Sequence, residues 1–202
     1  MSGVRGLRLD RAEEEAGAWR AAERVLRAAA AGGLVDVGYA EVDSPFGPLL
    51  VATTRRGLVR LAYPNEATDD VLQELADEVS PRVLESPDMT GEVRRELEEY
   101  FRGGRQRFEV PVDWRLVRGF AERVLRATAR IPFGRVMTYK EIAGRAGNDR
   151  AYRAAGNALG SNPIPIVVPC HRVLHTGGGL GGYTGGLERK EFLLTLEGVL
   201  GA

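Results

Sequence analysis

Cysteine is nearly missing from this sequence: in 202 residues Cys170 stands alone. One thiol excludes an internal disulfide and any cysteine-rich zinc site, and with only two histidines, His171 and His175, the chain has little with which to hold a metal. Neither a metal nor a cofactor is expected. Long apolar runs are lacking too. The longest fall well short of a bilayer span, and the start, MSGVRGLRLDRAEEE, has no apolar stretch of the signal-peptide kind, so a cytoplasmic protein without membrane contact is expected. Nor is there an excess of charge of one sign, with 28 Lys+Arg against 28 Asp+Glu. Along the chain the balance is uneven. Residues 1–114 carry 15 basic against 22 acidic groups, and residues 115–195 carry 13 against 5. A basic second half fits a polyanionic partner, most often nucleic acid, as well as it fits a solvated Arg-rich face.

What is present is 44% apolar residues, enough for a proper core and too many for a disordered chain. Residues 10–31 place Ala12, Ala16, Trp19, Ala22, Leu26 and Ala29 at helical spacing, with Asp10 and Glu13 as a capping box and Gly32-Gly33 as a stop, which predicts an amphipathic N-terminal helix. The runs VGYAEVD, PLLVATT and LVRLAYP, separated by SPFG and RRG, predict a small antiparallel sheet. DDVLQELADEV and GEVRRELEEYF then read as helices, and RFEVPVDW as a short strand or a linker in which Asp113 makes a cap or boundary. The fold class expected is α+β, divided into an extension over 1–35, an α/β domain over 36–114 and a helical domain over 115–202. In the last of these, RGFAERVLRATARI is a helix with Phe120, Val124, Leu125, Thr128 and Ile131 on one face. TYKEIAGRAGNDRAYRAAGNALGSN is a helix, a turn at Gly147-Asn148-Asp149 and a second helix, the layout of a helix-turn-helix. The second helix is small-sided at Ala151, Ala154, Ala155, Gly156 and Ala158, which suits either close approach to a partner or packing of helix on helix.

A free cysteine is by default a small buried hydrophobe. The neighbours of this one point to a reagent. Pro163, Pro165 and Pro169 predict a stiff, extended lead, and His171 and Arg172 follow with an imidazole and a fixed positive charge, the setting in which thiolates form. Consecutive side chains of an extended segment point to opposite faces, so a water between Cys170 and His171 is the expected route for a proton.

PCHRV, preceded by NPIPIVV and followed by GGYTGGLERKEFLLTLEG, resembles the active-site region of the O6-alkylguanine-DNA alkyltransferases, the methylated-DNA–protein-cysteine methyltransferase family. The likeness is highly specific and runs at least from IPFGRVMTYKEIA to LLTLEG; the sheet-rich first half is compatible with that family's ribonuclease-H-like first domain. It implies a DNA repair protein that flips O6-alkylguanine, with O4-alkylthymine as a further candidate, out of double-stranded DNA and takes the alkyl group irreversibly onto its own Cys170, once per molecule. His171 would take the thiol proton through a water, Glu197 would orient His171, and Asn162 would tie the turn after the recognition helix to the active-site loop. Tyr139 would crowd the phosphate beside the target, and Arg153 would fill the space the base leaves. The recognition helix would enter the minor groove with Ala151, Ala154 and Gly156 on its small face.

In the glycine-rich stretch, a loop closing over the base, Tyr183 would line the pocket and the backbone N–H of Thr184 would meet O6, while the carbonyls of Cys170 and Val173 would accept from the guanine amino group. Lys190 would sit at the start of the last helix, near the pocket. Two departures stand out. VRGFAE keeps Gly119 and Phe120 of the family's lead into its second domain but not the threonine, and no Cys or His precedes Cys170, so the zinc some relatives carry is not expected. A monomer is expected. The alternatives are a non-catalytic alkyltransferase-like protein that only flags damage, and an alkylation-sensing regulator.

Overall fold

The computed structural model describes residues 32–201 together with Ala16, Gly17, Arg24 and Ala28; the helix expected over 10–31 otherwise falls outside the described residues. Strand β1 (Val37–Val42) pairs with β2 (Leu49–Thr54), and β2 with β3 (Gly57–Ala62), both antiparallel, with Tyr39 opposite Ala52 and Val51 opposite Leu61. The continuous apolar run of β2 has its cause here: it is buried at every residue, with Leu49 and Val51 in one core cluster and Leu50 and Ala52 in the other. Helix α1 (Thr68–Glu78) brings Val71 and Leu75 to the second cluster, and α2 (Pro87–Phe101) brings Val93, Leu97 and Tyr100 to the first.

The sheet is not antiparallel throughout. A fourth strand, β4 (Val83–Glu85), lies parallel to β1 with Gly38 opposite Leu84, a direction that needs a crossover, which α1 helps to supply. Three residues are too few to show alternation in the sequence. Helix α2 also begins earlier than its apolar periodicity suggests, with Pro87 in its first turn, where a missing N–H costs nothing. RFEVPVDW forms no named strand. Val112 makes a single bridge to Leu58, the N–H groups of Glu109 and Val110 donate to the buried Glu96 carboxylate, and Asp113 caps the 3-10 turn Trp114–Leu116 by accepting from the Arg115 N–H at 3.2 Å.

Helix α3 (Gly119–Thr128) follows, then α4 (Tyr139–Arg145) and α5 (Tyr152–Gly160), the helix-turn-helix, joined through Gly147 at φ +94°. Thr138 and Glu141 cap α4 reciprocally, and Arg123 of α3 donates to the Ala146 carbonyl at 3.0 Å, fixing the pair against the core. A two-residue parallel ladder, β5 (Met137–Thr138) with β6 (Val173–Leu174), stitches the entrance of α4 to the chain beyond the cysteine. The last helix is α6 (Leu187–Leu196). One core cluster runs from Val51 and Leu97 through Val124 and Ile142 to Cys170 and Leu193, so sheet and helices share an interior.

The lead into the cysteine is turned rather than extended. Val168 donates back to Ile164, Cys170 to Val168 and Arg172 to Pro169, and Ile166 is held at φ +72°, a left-handed conformation that costs a β-branched residue about 1–3 kcal/mol. The Leu61 N–H donating to the Pro163 carbonyl at 2.9 Å anchors the segment on the sheet. Prolines stiffen a turn as well as a strand, which is why their spacing misleads.

Two glycines should respond oppositely to alanine. At Gly57, φ +123°, a Cβ would lie 2.0 Å from the Pro111 carbonyl oxygen, whereas Gly91, exposed within α2, has nothing within 4 Å. Urea unfolding of Gly57→Ala should show a loss of about 3 kcal/mol or more, and Gly91→Ala a gain of about 0.5–1 kcal/mol.

Candidate active site

The turn that ends this lead is the 3-10 segment Cys170–Arg172, and all three of its side chains are buried. Cys170 is 5% exposed, and its sulfur accepts from Asn162 Nδ2 at 3.2 Å. The same nitrogen donates to the Val168 carbonyl at 2.8 Å, and Asn162 Oδ1 accepts from the Ile164 N–H at 3.1 Å, so one amide just beyond α5 clasps both ends of the turned lead.

His171 is fully buried, and its Nε2 lies 2.8 Å from Glu197 Oε1. Glu197, at the C-terminal end of α6, also accepts from Tyr100 Oη at 2.6 Å and from Arg172 Nε and Nη2, each at 2.8 Å. Arg172 Nη1 donates to the Ile131 carbonyl. Burial pushes the Glu197 carboxyl up, but the hydrogen bonds from His171 and Arg172 outweigh it and hold the group at about 2, so it is a carboxylate. A carboxylate only accepts, which puts the hydrogen of His171 on Nε2. Burial, only partly offset by Glu197, lowers the pKa of His171, keeping the ring neutral and leaving Nδ1 as a lone pair with no protein partner among the described residues.

The Arg172 charge is therefore committed to Glu197 rather than to the sulfur. The expected lowering of the thiol by a His-Arg pair does not occur: burial raises Cys170 above its ordinary value, against the hydrogen bond from Asn162 and the charge of Lys190. At rest the group is a thiol.

Cys170 opens on a cleft of about 500 Å³. Tyr139, Tyr183 and His175 form its sides, and Tyr152, Arg153 and Gly156 of α5 its rim. The β5–β6 register brings Tyr139 and His175 together, since Thr138 is paired with Leu174 and these next residues stand with ring centroids 5.0 Å apart. Gly181 is pressed against this pair: a Cβ there would lie 2.7 Å from Tyr139 Oη. Thr184 also lines the cleft, its hydroxyl donating to the Gly160 carbonyl at 2.5 Å. Val173 is buried in the core cluster outside this lining, and its carbonyl accepts from Lys190 Nζ at 2.7 Å. Lys190 is on α6, fully buried and donating also to the Leu180 carbonyl; burial, opposed by Cys170, brings it down to about 8. It fastens the glycine-rich loop. On α5, Ala155 and Ala158 face the core, while Ala151, Ala154 and Gly156 stay outside it, so the small residues divide between packing and approach.

Residues 37–114 match the description "6-O-methylguanine DNA methyltransferase, ribonuclease-like domain", and residues 119–199 match "6-O-methylguanine DNA methyltransferase, DNA binding domain". A methylated-DNA–protein-cysteine methyltransferase of Methanosarcina barkeri is 40% identical over 159 residues, 79% of this chain and 96% of that one. The chain belongs to this methyltransferase family. Its member from Mycobacterium tuberculosis is 37% identical over 161 residues, covering 80% of this chain and 92% of that one. The crystal structure of the O6-methylguanine methyltransferase of that organism superposes with a TM-score of 0.68 over the same shares, and the crystal structure of its OGT in complex with DNA superposes with 0.67, at 37% identity over 79% and 92% of the two chains.

Among family members the resemblance named Cys170, His171, Asn162 and Glu197 without naming Tyr100, Tyr152 or the pocket face of His175. An exposed aromatic at the head of a basic helix was the available signal for Tyr152; nothing local marks Tyr100, whose partner is 97 positions away.

Glu197→Gln leaves the buried Arg172 guanidinium uncompensated, and urea unfolding at pH 7 should show a loss of about 3–5 kcal/mol. Both depressed groups bind protons more readily in the unfolded chain. The wild type should therefore lose stability first as pH falls below the ordinary His value of 6.5, then further from 4.5 toward about 2, and the variant should have a shallower second limb, keeping only the share of other depressed carboxylates such as Asp36 and Asp113. Parallel acid limbs for the two proteins would refute the charge assignment.

Proposed function

We propose that this DNA repair methyltransferase moves an alkyl group from O6 of guanine in double-stranded DNA to the sulfur of Cys170, irreversibly and once per molecule. The observation that carries the reading is a lone thiol lining a cleft of about 500 Å³, roomy enough for a purine, next to a neutral imidazole whose Nδ1 lone pair has no partner among the described residues and whose Nε2 is backed by a buried carboxylate. The sulfur–carbon bond forms as the carbon–O6 bond breaks, and the electron pair goes to the purine. The thiol proton goes to His171 through a water, and the base takes up one proton in return, leaving a neutral thioether and guanine. Glu197 holds the ring for this and stabilises the transient imidazolium. Asn162, donating to the sulfur, favours the thiolate against the rise that burial causes.

Guanine in a duplex hides O6 in the stack, so the base has to be extruded. Tyr139 and Arg153, at the side and the rim of the cleft, have the positions for this: Tyr139 against the phosphate, Arg153 in the space left behind, with Ala151, Ala154 and Gly156 lying in the minor groove. Tyr183 flanks the base and the Thr184 N–H meets O6. Each of the two carbonyls assigned to the guanine amino group already accepts one hydrogen bond, that of Val173 from Lys190 and that of Cys170 from the Val173 N–H, and each keeps a second lone pair for the base in this reading. The division into 1–35, 36–114 and 115–202, a cytoplasmic monomer, and action on O4-alkylthymine complete the proposal. The two matched family segments support the domain division.

Incubation with excess O6-methylguanine duplex should add one methyl group, about 14 Da, to the peptide holding Cys170, with no repair beyond one equivalent. Repair continuing past one equivalent would sink the acceptor role.

Arg153→Ala should slow repair of duplex even at saturating DNA and leave the reaction with free O6-benzylguanine unchanged, because only the duplex has to be opened. If the group only neutralised a phosphate, the variant would lose affinity and about one unit of salt slope while its saturated rate stayed at the wild-type value.

A further inference from the structure

Tyr183 lines the cleft beside Cys170 and stands edge-on to the His171 ring at 6.5 Å. The group that holds it comes from the other half of the chain. Tyr63, the residue after β3, is 2% exposed, and its hydroxyl lies 2.7 Å from that of Tyr183, with the rings edge to face at 6.2 Å. Burial keeps both phenols protonated, so one donates to the other.

Tyr63 is itself held on several sides. Its N–H donates to Glu66 Oε1 at 2.9 Å, Phe46 packs edge-on at 6.0 Å, and the Arg189 guanidinium lies 4.8 Å over its ring. Arg189 in turn donates to the Gly185 carbonyl and to Asn65 Oδ1, so one side chain of α6 bridges the loop and the sheet. Gly185 closes the gap: a Cβ there would lie 2.7 Å from the Tyr63 ring and 2.9 Å from the Tyr183 ring. The two rings close on the loop backbone from both sides, and Tyr63 is the ring against which Tyr183 rests.

We propose that Tyr63 is a positioning residue for alkyl transfer, fixing through its hydroxyl and ring the tilt of Tyr183 and so the room for the alkyl carbon beside the Cys170 sulfur. Displacement at carbon needs sulfur, carbon and O6 in line, and misplacement by an ångström is costly. Without the Tyr63 hydroxyl, that of Tyr183 is left buried and unpaired and turns toward another partner.

The inference rests on the alkyl-transfer reading, and one set of measurements separates the two. Tyr63→Phe keeps the ring, the Arg189 contact and the packing of Gly185. Its methyl-transfer rate constant at saturating O6-methylguanine duplex should fall roughly three- to tenfold, with the DNA dissociation constant and its salt slope unchanged. Its reaction with free O6-benzylguanine, which needs no DNA, should fall by a similar factor. Tyr183→Phe should show the same fall, and the double variant no further loss. A lower melting temperature with wild-type rates on both substrates would make Tyr63 structural only, and weaker DNA binding with an unchanged saturated rate would place its effect in docking; either overturns the inference. Wild-type protein that gains no methyl group would overturn the alkyl-transfer reading itself.

Discussion

One buried carboxylate holds the site together. Glu197 receives hydrogen bonds from Tyr100 of α2, from His171 and from two nitrogens of Arg172, and Arg172 reaches on to the carbonyl of Ile131 beyond α3. Three stretches far apart in sequence, α2, the Cys170–Arg172 turn and the end of α6, meet at two oxygen atoms. The arrangement is neutral overall, one carboxylate against one guanidinium, which lets charges sit in an interior that would otherwise reject them. The imidazole is the extra member. Its tautomer follows from the acceptor it faces, and the nitrogen left over is the one available for chemistry.

The thiol itself is not poised by nearby positive charge. Burial favours its protonated form, and Arg172, two positions on, turns inward to the carboxylate. Reactivity in this reading comes from a base kept neutral and oriented rather than from a standing thiolate, which also makes the group a poor target for chance electrophiles that do not fill the cleft. Asn162 and Lys190 both oppose burial in this balance: the amide donates to sulfur, and the ammonium, fully enclosed, favours the thiolate by its charge and ties the loop behind it.

Local patterns of sequence revealed what depends on local physics. The helix-turn-helix, the three antiparallel strands and the Asp113 cap follow from periodicity and turn residues, and PCHRV with NPIP and LLTLEG named by resemblance a cluster that the fold brings together around Cys170 and Glu197. The misses share a cause. Strand β4 is too short to alternate, and its parallel partner is more than forty positions away; prolines announced stiffness but not the reversal at Ile166; Tyr63 and Tyr100 act on residues 120 and 97 positions distant, with nothing in their own neighbourhoods to mark them. Such contacts are products of the assembled core, where residues only two positions apart, such as Cys170 and Arg172, end with opposite tasks.

The ladder between Met137–Thr138 and Val173–Leu174 is only two residues long, yet it decides how the two working parts can move. It welds the first residue of the helix pair to the strand that leaves the catalytic turn, and the capping box and packed interior on either side give it no hinge. The sulfur-bearing turn and the helix pair are thus tied to each other directly. In the base-flipping reading such a unit leaves the travel to the softer partner, and the nucleotide, not the cysteine, would cover the distance.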